Sequence, residues 1–259
     1  LFSCTDTWDD HYEETSNHVL SGTLWQAINS NQDLSNFAKV VKECGYDKSL
    51  ASSQVFTVFA PVNATFTTQE ADALIAQYKT EKAQVNDDDN TVIKEFLQNH
   101  IALYNHSVST QHKDSIVMMN GKYQPLNSGE FGGSSLMTSN GHYGNGVLFT
   151  IDKKVDYFPN VFEYVRKDAD LDSLRSFLYN SKFYYKEFQP DESVKGEVVD
   201  GRITYQDSVF TQRNELFNEI EARINSEDST YWMVAPTNQV WKELIDKYET
   251  YFNYHDSNS

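Results

Sequence analysis

Cationic side chains are what this sequence has least of: 21 Lys and Arg stand against 38 Asp and Glu, a formal net charge of −17 over 259 residues. Such a field repels nucleic-acid phosphates and anionic lipid headgroups, so nucleic acid is not an expected partner. Long apolar runs are also missing. No stretch approaches the roughly 20 consecutive apolar residues that span a bilayer, so membrane attachment is expected only through a covalent anchor. Signatures of catalysis are absent as well: there is no Gly-x-Ser-x-Gly elbow, His-Glu-x-x-His, phosphate loop or dinucleotide fingerprint. Carboxylate pairs are too common in so acidic a chain for any one of them to be informative. No enzyme activity and no cofactor are therefore expected. What is present, 39% hydrophobic and 14% aromatic residues, suffices for a real core in one or two domains.

The chain has only two cysteines, in different settings. Cys4 follows Leu1, Phe2 and Ser3 and precedes the polar run Thr5-Asp6-Thr7-Trp8-Asp9-Asp10. Leu1, Ser3 and Cys4 resemble a bacterial lipobox, in which the cysteine is lipidated and becomes the mature N-terminus. The acidic stretch after it is similar to surface-export signals of Bacteroidetes lipoproteins. The alternative is a Cys4–Cys44 disulfide, which an extracytoplasmic compartment permits. Cys44 itself ends an apolar helical stripe before Gly45 and reads as a buried small hydrophobe.

An internal repeat decides the domain count. Leu24, Trp25 and Ile28, then Asp33, Leu34, Phe37, Val40 and Val41, recur 137 residues later as Val161, Phe162 and Val165, then Asp170, Leu171, Leu174, Phe177 and Leu178. Both copies show helical periodicity after an Asp cap, Asp33 or Asp170. A second block, Val58 to Asn63 with Phe66, recurs as Met233 to Asn238 with Trp241, now offset by 175, so the second copy carries a 38-residue insertion. That insertion falls between Lys182 and Ser229. Within it, Glu197 to Tyr205 predicts a hairpin turning on Asp200-Gly201, and Leu216, Ile220 and Ile224 predict one face of an amphipathic helix ending near Asn225.

In the first copy, Thr23 with Gln26 and Thr67 with Glu70 form capping-box pairs that start helices at Leu24 and Thr68. Gln54 to Ala60 predicts a strand stopped by Pro61, and Thr91 to His100 a helix. Asp87, Asp88 and Asp89 read as a solvated helix entry rather than a calcium loop, because EF-hand spacing is lacking. Beyond them, Val117 to Leu126 turns on Asn120-Gly121, while Asn140-Gly141 and Asn145-Gly146 precede the apolar run Val147 to Ile151. Helices first and strands later argue for an α+β fold.

These residues resemble the fasciclin domain family. Phe56-Thr57-Val58-Phe59-Ala60-Pro61-Val62-Asn63 with Phe66 is similar to its first block. Phe96-Leu97-Gln98-Asn99-His100-Ile101 is similar to its Tyr-His helix, with Asn99 in place of the tyrosine. Asn145-Gly146-Val147-Leu148-Phe149-Thr150-Ile151-Asp152 is similar to the closing block. The resemblance implies a fasciclin-like β-sandwich or wedge with packed helices: a tether over residues 1–19, a fasciclin-type domain over 20–158, and a second, incomplete one over 159–259 with the insertion at 182–229. Because the second copy's Tyr-His helix and closing strands have no counterpart before Ser259, the protein is expected to continue or to be partly ordered. Pro61, Asn63, His100, Pro236 and Asn238 are expected to have structural roles, with His100 buried and hydrogen-bonded. Receptor binding, implicated near the Tyr-His motif in animal relatives, is not carried over, since Asn99 breaks the motif.

No metal is assigned. His100, His106 and His112 recur every six residues, but they lack further ligands, and the change from helix to strand breaks their register. Binding is placed in the insertion, on Tyr184, Tyr185, Phe188 and Tyr205, because aromatics commonly anchor interfaces. Tyr248, Tyr251, Phe252 and Tyr254 could stack on sugars or pack in a core. The expected function is a non-catalytic outer-membrane lipoprotein, exposed at the cell surface and held by lipid on Cys4, that binds a surface protein or glycan. The alternative is an accessory subunit of an outer-membrane nutrient transporter complex.

Overall fold

The computed structural model describes residues 20–251, apart from 86–88, 107, 109–113, 138–140, 189, 191–193, 200–201 and 208–209. Cys4 and the acidic tether, Asp87 and Asp88, His112, and Phe252 and Tyr254 lie outside the described residues. The chain divides into two compact units at Tyr157/Phe158.

The first unit opens with helices α1 (Leu24–Ser30), α2 (Ser35–Glu43) and α3 (Tyr46–Ala51). Thr23 and Gln26 make the reciprocal capping box that their spacing requires. One expectation is corrected here: Asp33 is not a helix cap. Asn31 caps a short 3₁₀ turn, Gln32–Leu34, and its Oδ1 accepts from the Asp33 N–H. In the second unit Asp168 does the same for the Asp170 N–H. An amide or carboxylate two residues upstream forms an Asx-turn, which Asp33 and Asp170 cannot form for themselves.

Strand β1 (Phe56–Pro61) follows, then α4 (Thr68–Lys82) with its Thr67–Glu70 box, a π-helical segment Val92–Leu97 continued by one α-turn, α5 (Gln98–His100), and β2 (Ile101–Leu103). Pro61 does not stop the strand but is its last residue, opposite Ile151, and the Val62 N–H closes the ladder on the Ile151 carbonyl at 3.0 Å. Strands β3 (Asp114–Val117), β4 (Tyr123–Leu126), β5 (Glu130–Phe131) and β6 (Ser134–Ser135) form one sheet in sequential order. The other sheet runs β2-β1-β8-β7, where β7 is Gly141–Tyr143 and β8 is Gly146–Ile151.

Strand β1 pairs antiparallel with β2 and parallel with β8. With neighbours on both edges and layers on both faces it reads as a continuous apolar run, as a central buried strand should. Phe56, Val58 and Ala60 face the helical core together with Phe37, Leu34 and Leu97. Phe59 points the other way, into the space between the sheets, where it stacks on Phe131 (3.6 Å between centroids) and Phe149 (5.0 Å). Cys44 lies buried in the helical core. Helices, sheet and sheet thus make a three-layered α+β unit.

The second unit begins with α6 (Val161–Lys167), a 3₁₀ turn Ala169–Leu171, and α7 (Asp172–Leu178). Next comes a nested antiparallel ribbon. Strands β9 (Tyr184–Phe188) and β12 (Phe210–Asn214) pair at its base, and β10 (Val194–Val199) and β11 (Arg202–Asp207) pair farther out. Val199 lies opposite Arg202, while Asp200 and Gly201, on which the hairpin is expected to turn, lie outside the described residues. The amphipathic helix expected over residues 216–224 is corrected to one turn, α8 (Leu216–Glu219). Glu221 has a φ of 50°, which ends the helix, and Ile220 is 55% exposed while Phe217 and Ile224 enter the core. Helix α9 (Asn238–Tyr248) is the last long element.

Candidate functional site

Among the described residues, polar groups with several partners fall into two sets, one that braces the fold and one that lines a groove. In the bracing set, the Asn63 side chain accepts from the Asn36 N–H (3.1 Å) and donates to the Gln32 carbonyl (2.8 Å) and Ser35 Oγ (2.9 Å). It pins the end of β1 to the start of α2. Asn238 repeats this brace in the second unit, accepting from the Ser173 N–H (2.8 Å) and donating to the Ala169 carbonyl (2.8 Å). Pro61 and Pro236 each stand two residues ahead of these asparagines, Pro61 as the last residue of β1.

His100 is fully buried. Its Nδ1 donates to the Phe96 carbonyl (2.7 Å) and its Nε2 accepts from the Val155 N–H (2.9 Å), which fixes a neutral tautomer. Burial above all pushes its pKa down to about 4. Neighbouring Asn99 donates to the carbonyls of Val155 and Asp156 and accepts from Asn120 and Gln124, so it is a four-way brace. Both ring nitrogens of His100 are engaged, which leaves that ring no lone pair for a metal, and the His106 Nε2 lies 2.9 Å from the Leu103 carbonyl. No three His, Cys, Asp or Glu side chains among the described residues are grouped to hold an ion.

The groove set lies at the base of the ribbon. Cross-strand register places Tyr185 opposite Arg213 and Thr211 opposite Glu187. On that face the Arg213 Nε donates to Glu187 (2.7 Å), and the Tyr185 hydroxyl donates to Glu215 (3.1 Å), which raises the phenol pKa. Together with Asn218, Arg223 and Asn225 these side chains line a cavity of about 450 Å³. Its floor is held by Asn214, which is buried, donates to the Leu178 carbonyl (2.7 Å) and accepts from the Leu216 N–H (3.1 Å). Amide, guanidinium and carboxylate groups around a half-exposed tyrosine ring can hydrogen-bond and stack on a polar ligand. No proton-transfer or nucleophilic step follows from them.

Of the four aromatics expected to bind, Tyr185 lines the groove. Tyr184 is taken up by the core: its ring packs edge-on to Tyr179 (5.1 Å) and tilted against Phe162 (5.7 Å). Phe188 ends β9 opposite Phe210, and Tyr205 sits on β11 opposite Lys195, its side chain outside the described part of the structure. Sequence reasoning missed Arg213, Glu215, Asn218 and Arg223. The only signal for the first of these was the alternation of β12, which becomes informative once its register against β9 is known.

Compared with known proteins, residues 32–155 match the model of the fasciclin domain. No curated protein matches the chain. A solved structure similar to it is a FAS1 domain pair from the insect cell adhesion molecule fasciclin I, with 17% sequence identity and a TM-score of 0.36. The similarity covers 51% of this chain and 50% of that one, so the chain spans about half the length of that relative.

Proposed function

We propose that this chain, whose first unit carries a fasciclin domain, is a non-catalytic interaction module displayed at the cell surface. The observation that carries the proposal is the fasciclin match over residues 32–155, since fasciclin domains are generally adhesion and interaction modules. The first unit is a braced scaffold, and the second adds the groove around Tyr185, where we place contact with a surface protein or glycan. Lipid on Cys4 is the proposed anchor to the outer membrane, with the acidic residues after it as tether.

The test is a pull-down of the full-length protein from native membranes. A Tyr185→Ser/Arg223→Ala double variant should lower recovery of the partner by at least about tenfold, that is 1.4 kcal/mol, with an unchanged melting temperature. Unchanged recovery would remove the groove from the proposal. Deleting the whole insertion is the wrong test, because Phe217 and Ile224 belong to the second unit's core. Recovery of an outer-membrane barrel with its lid lipoprotein would instead make this an accessory importer subunit. Cys4→Ala should release the protein in soluble form, and retention at the membrane would sink the anchor.

A further inference from the structure

After β8 the first unit ends in a segment that is neither strand nor helix, Asp152 to Tyr157. Its first half is tied by backbone and charge. The Asp152 N–H donates to the Ser135 carbonyl (3.0 Å), Ser134 Oγ donates to the Lys153 carbonyl (2.5 Å), and Lys154 pairs with Glu70 at 2.9 Å. The second half is held differently. Val155 and Asp156 make no backbone–backbone hydrogen bond among the described residues. Side chains hold them instead. The His100 Nε2 accepts from the Val155 N–H (2.9 Å), and Asn99 donates to the carbonyls of Val155 (3.3 Å) and Asp156 (3.2 Å). The Lys122 ammonium lies 5.1 Å from the centre of the Tyr157 ring. Val155 and Asp156 can therefore leave without breaking a sheet ladder. What resists is the burial of the Val155 side chain between the sheets, together with these few polar contacts.

Of these contacts, the one at His100 titrates. Nδ1 already carries a proton, donated to the Phe96 carbonyl, so an added proton can enter only at Nε2. There it meets the Val155 N–H, donor against donor, and the contact is lost. Around the ring stand Phe37 from α2, Phe96 from the π-helical segment, and Lys154 from the exit segment, whose charge opposes an imidazolium and is itself paired with Glu70 from α4. Burial first, and Lys154 with it, hold the ring's pKa down to about 4 against 6.5 for an exposed histidine. We propose that His100 and Val155 form an acid-released latch, in which protonation at Nε2 frees Val155 to Tyr157 while both sheets of the first unit stay paired, lengthening the chain that leads into the second unit. The released state binds the proton more tightly, so opening is favoured as pH falls through 6.5 and gains nothing further below about 4. The inference does not depend on the groove at Tyr185 or on the anchor at Cys4.

Hydrogen exchange of the full-length protein between about pH 7 and pH 4.5, followed by mass spectrometry and corrected for the intrinsic rate, reads the latch. Peptides covering Val155 to Tyr157 should gain exchange by about fifty-fold over that range, as the two proton affinities of His100 require. Peptides from β1 should exchange at least about tenfold more slowly throughout, because they open only with the whole unit. His100→Gln offers Val155 an amide oxygen that does not titrate, so the rise should shrink to less than about threefold. Asn99→Ala keeps the imidazole and removes both carbonyl contacts, so exchange of the segment should rise about tenfold at every pH with the same dependence on pH. Exchange of Val155 to Tyr157 that is flat with pH in the parent, or that runs at the rate of β1, overturns the proposal. These two outcomes are read on the parent and stand whether or not His100→Gln folds. A full rise retained in His100→Gln overturns it as well, since the titrating group would then be another.

Discussion

The two units differ in what covers them, not in how they begin. Thr23 and Asn160 cap the first helices, Asn31 and Asp168 the 3₁₀ turns, and Asn63 and Asn238 fasten the next segment with the same two backbone partners, 137 residues apart. Phe66 stacks on Phe96 in the first unit, and its counterpart Trp241 meets Phe177 in the second. Local capping and a single amide brace therefore suffice to dock two helices and an extended segment. Among the described residues, that segment lies in a sheet in the first unit alone. What the first unit adds is β2, β8 and the second sheet, which cover Phe59 on the face where Val234 stands in solvent.

The comparison breaks most completely if β8 is lost. Gly146 has a φ of +146°, and a Cβ there would come within 1.9 Å of the Phe56 carbonyl oxygen. Gly146→Ala should destabilise the isolated first unit by about 4 kcal/mol or more, leaving β1 without its parallel partner. Urea denaturation of residues 20–158 measures it, and a loss below about 1 kcal/mol would contradict this account of the close approach.

A smaller effect separates the units by pH. His100 has a pKa of about 4 in the folded protein against the ordinary 6.5 of an exposed histidine, so the unfolded state takes up its proton first as pH falls. Its contribution is complete above pH 6.5 and is lost as pH drops toward 4, about 3 kcal/mol in all. The second unit's only histidine is His255, outside the described residues. Denaturation of the first unit at pH 7 and pH 4.5 should show the loss, and His100→Gln should flatten that part of the profile.

The smallest effect sharpens the likeness. Asn63→Ala should cost about 2 kcal/mol and Asn238→Ala about 1 kcal/mol, because Asn63 satisfies one more partner in a fully covered unit. Hydrogen exchange at the Asn36 and Ser173 amides, which lose their acceptors, reads both. Equal protection in variant and parent would show that the brace carries nothing.

Much of this was legible in the sequence because its causes are local. The Thr23–Gln26 and Thr67–Glu70 boxes and the turn at Asn120-Gly121 depend on residues within four positions of each other. The buried, bonded state of His100 came from the family resemblance. What failed depended on distance or direction. Leu216, Ile220 and Ile224 keep a four-residue spacing, yet the left-handed backbone at Glu221 ends the helix and turns Ile220 outward. Tyr184 and Tyr185 are neighbours in sequence, and the pleat sends one into the core and the other to the groove. The groove itself was hidden, since it exists only where β9 meets β12 and the chain doubles back past Asn218.

Strand β1 also sets an order of events. Its parallel partner begins at Gly146, 90 residues beyond Phe56, so the central pair of the first unit closes only after that length of chain has been made. During synthesis Phe56 to Pro61 waits as a bare apolar strand while the capped helices, whose contacts are local, already form. Until Ile151 leaves the ribosome, the nascent chain carries a sticky edge that a chaperone or a stray strand can occupy.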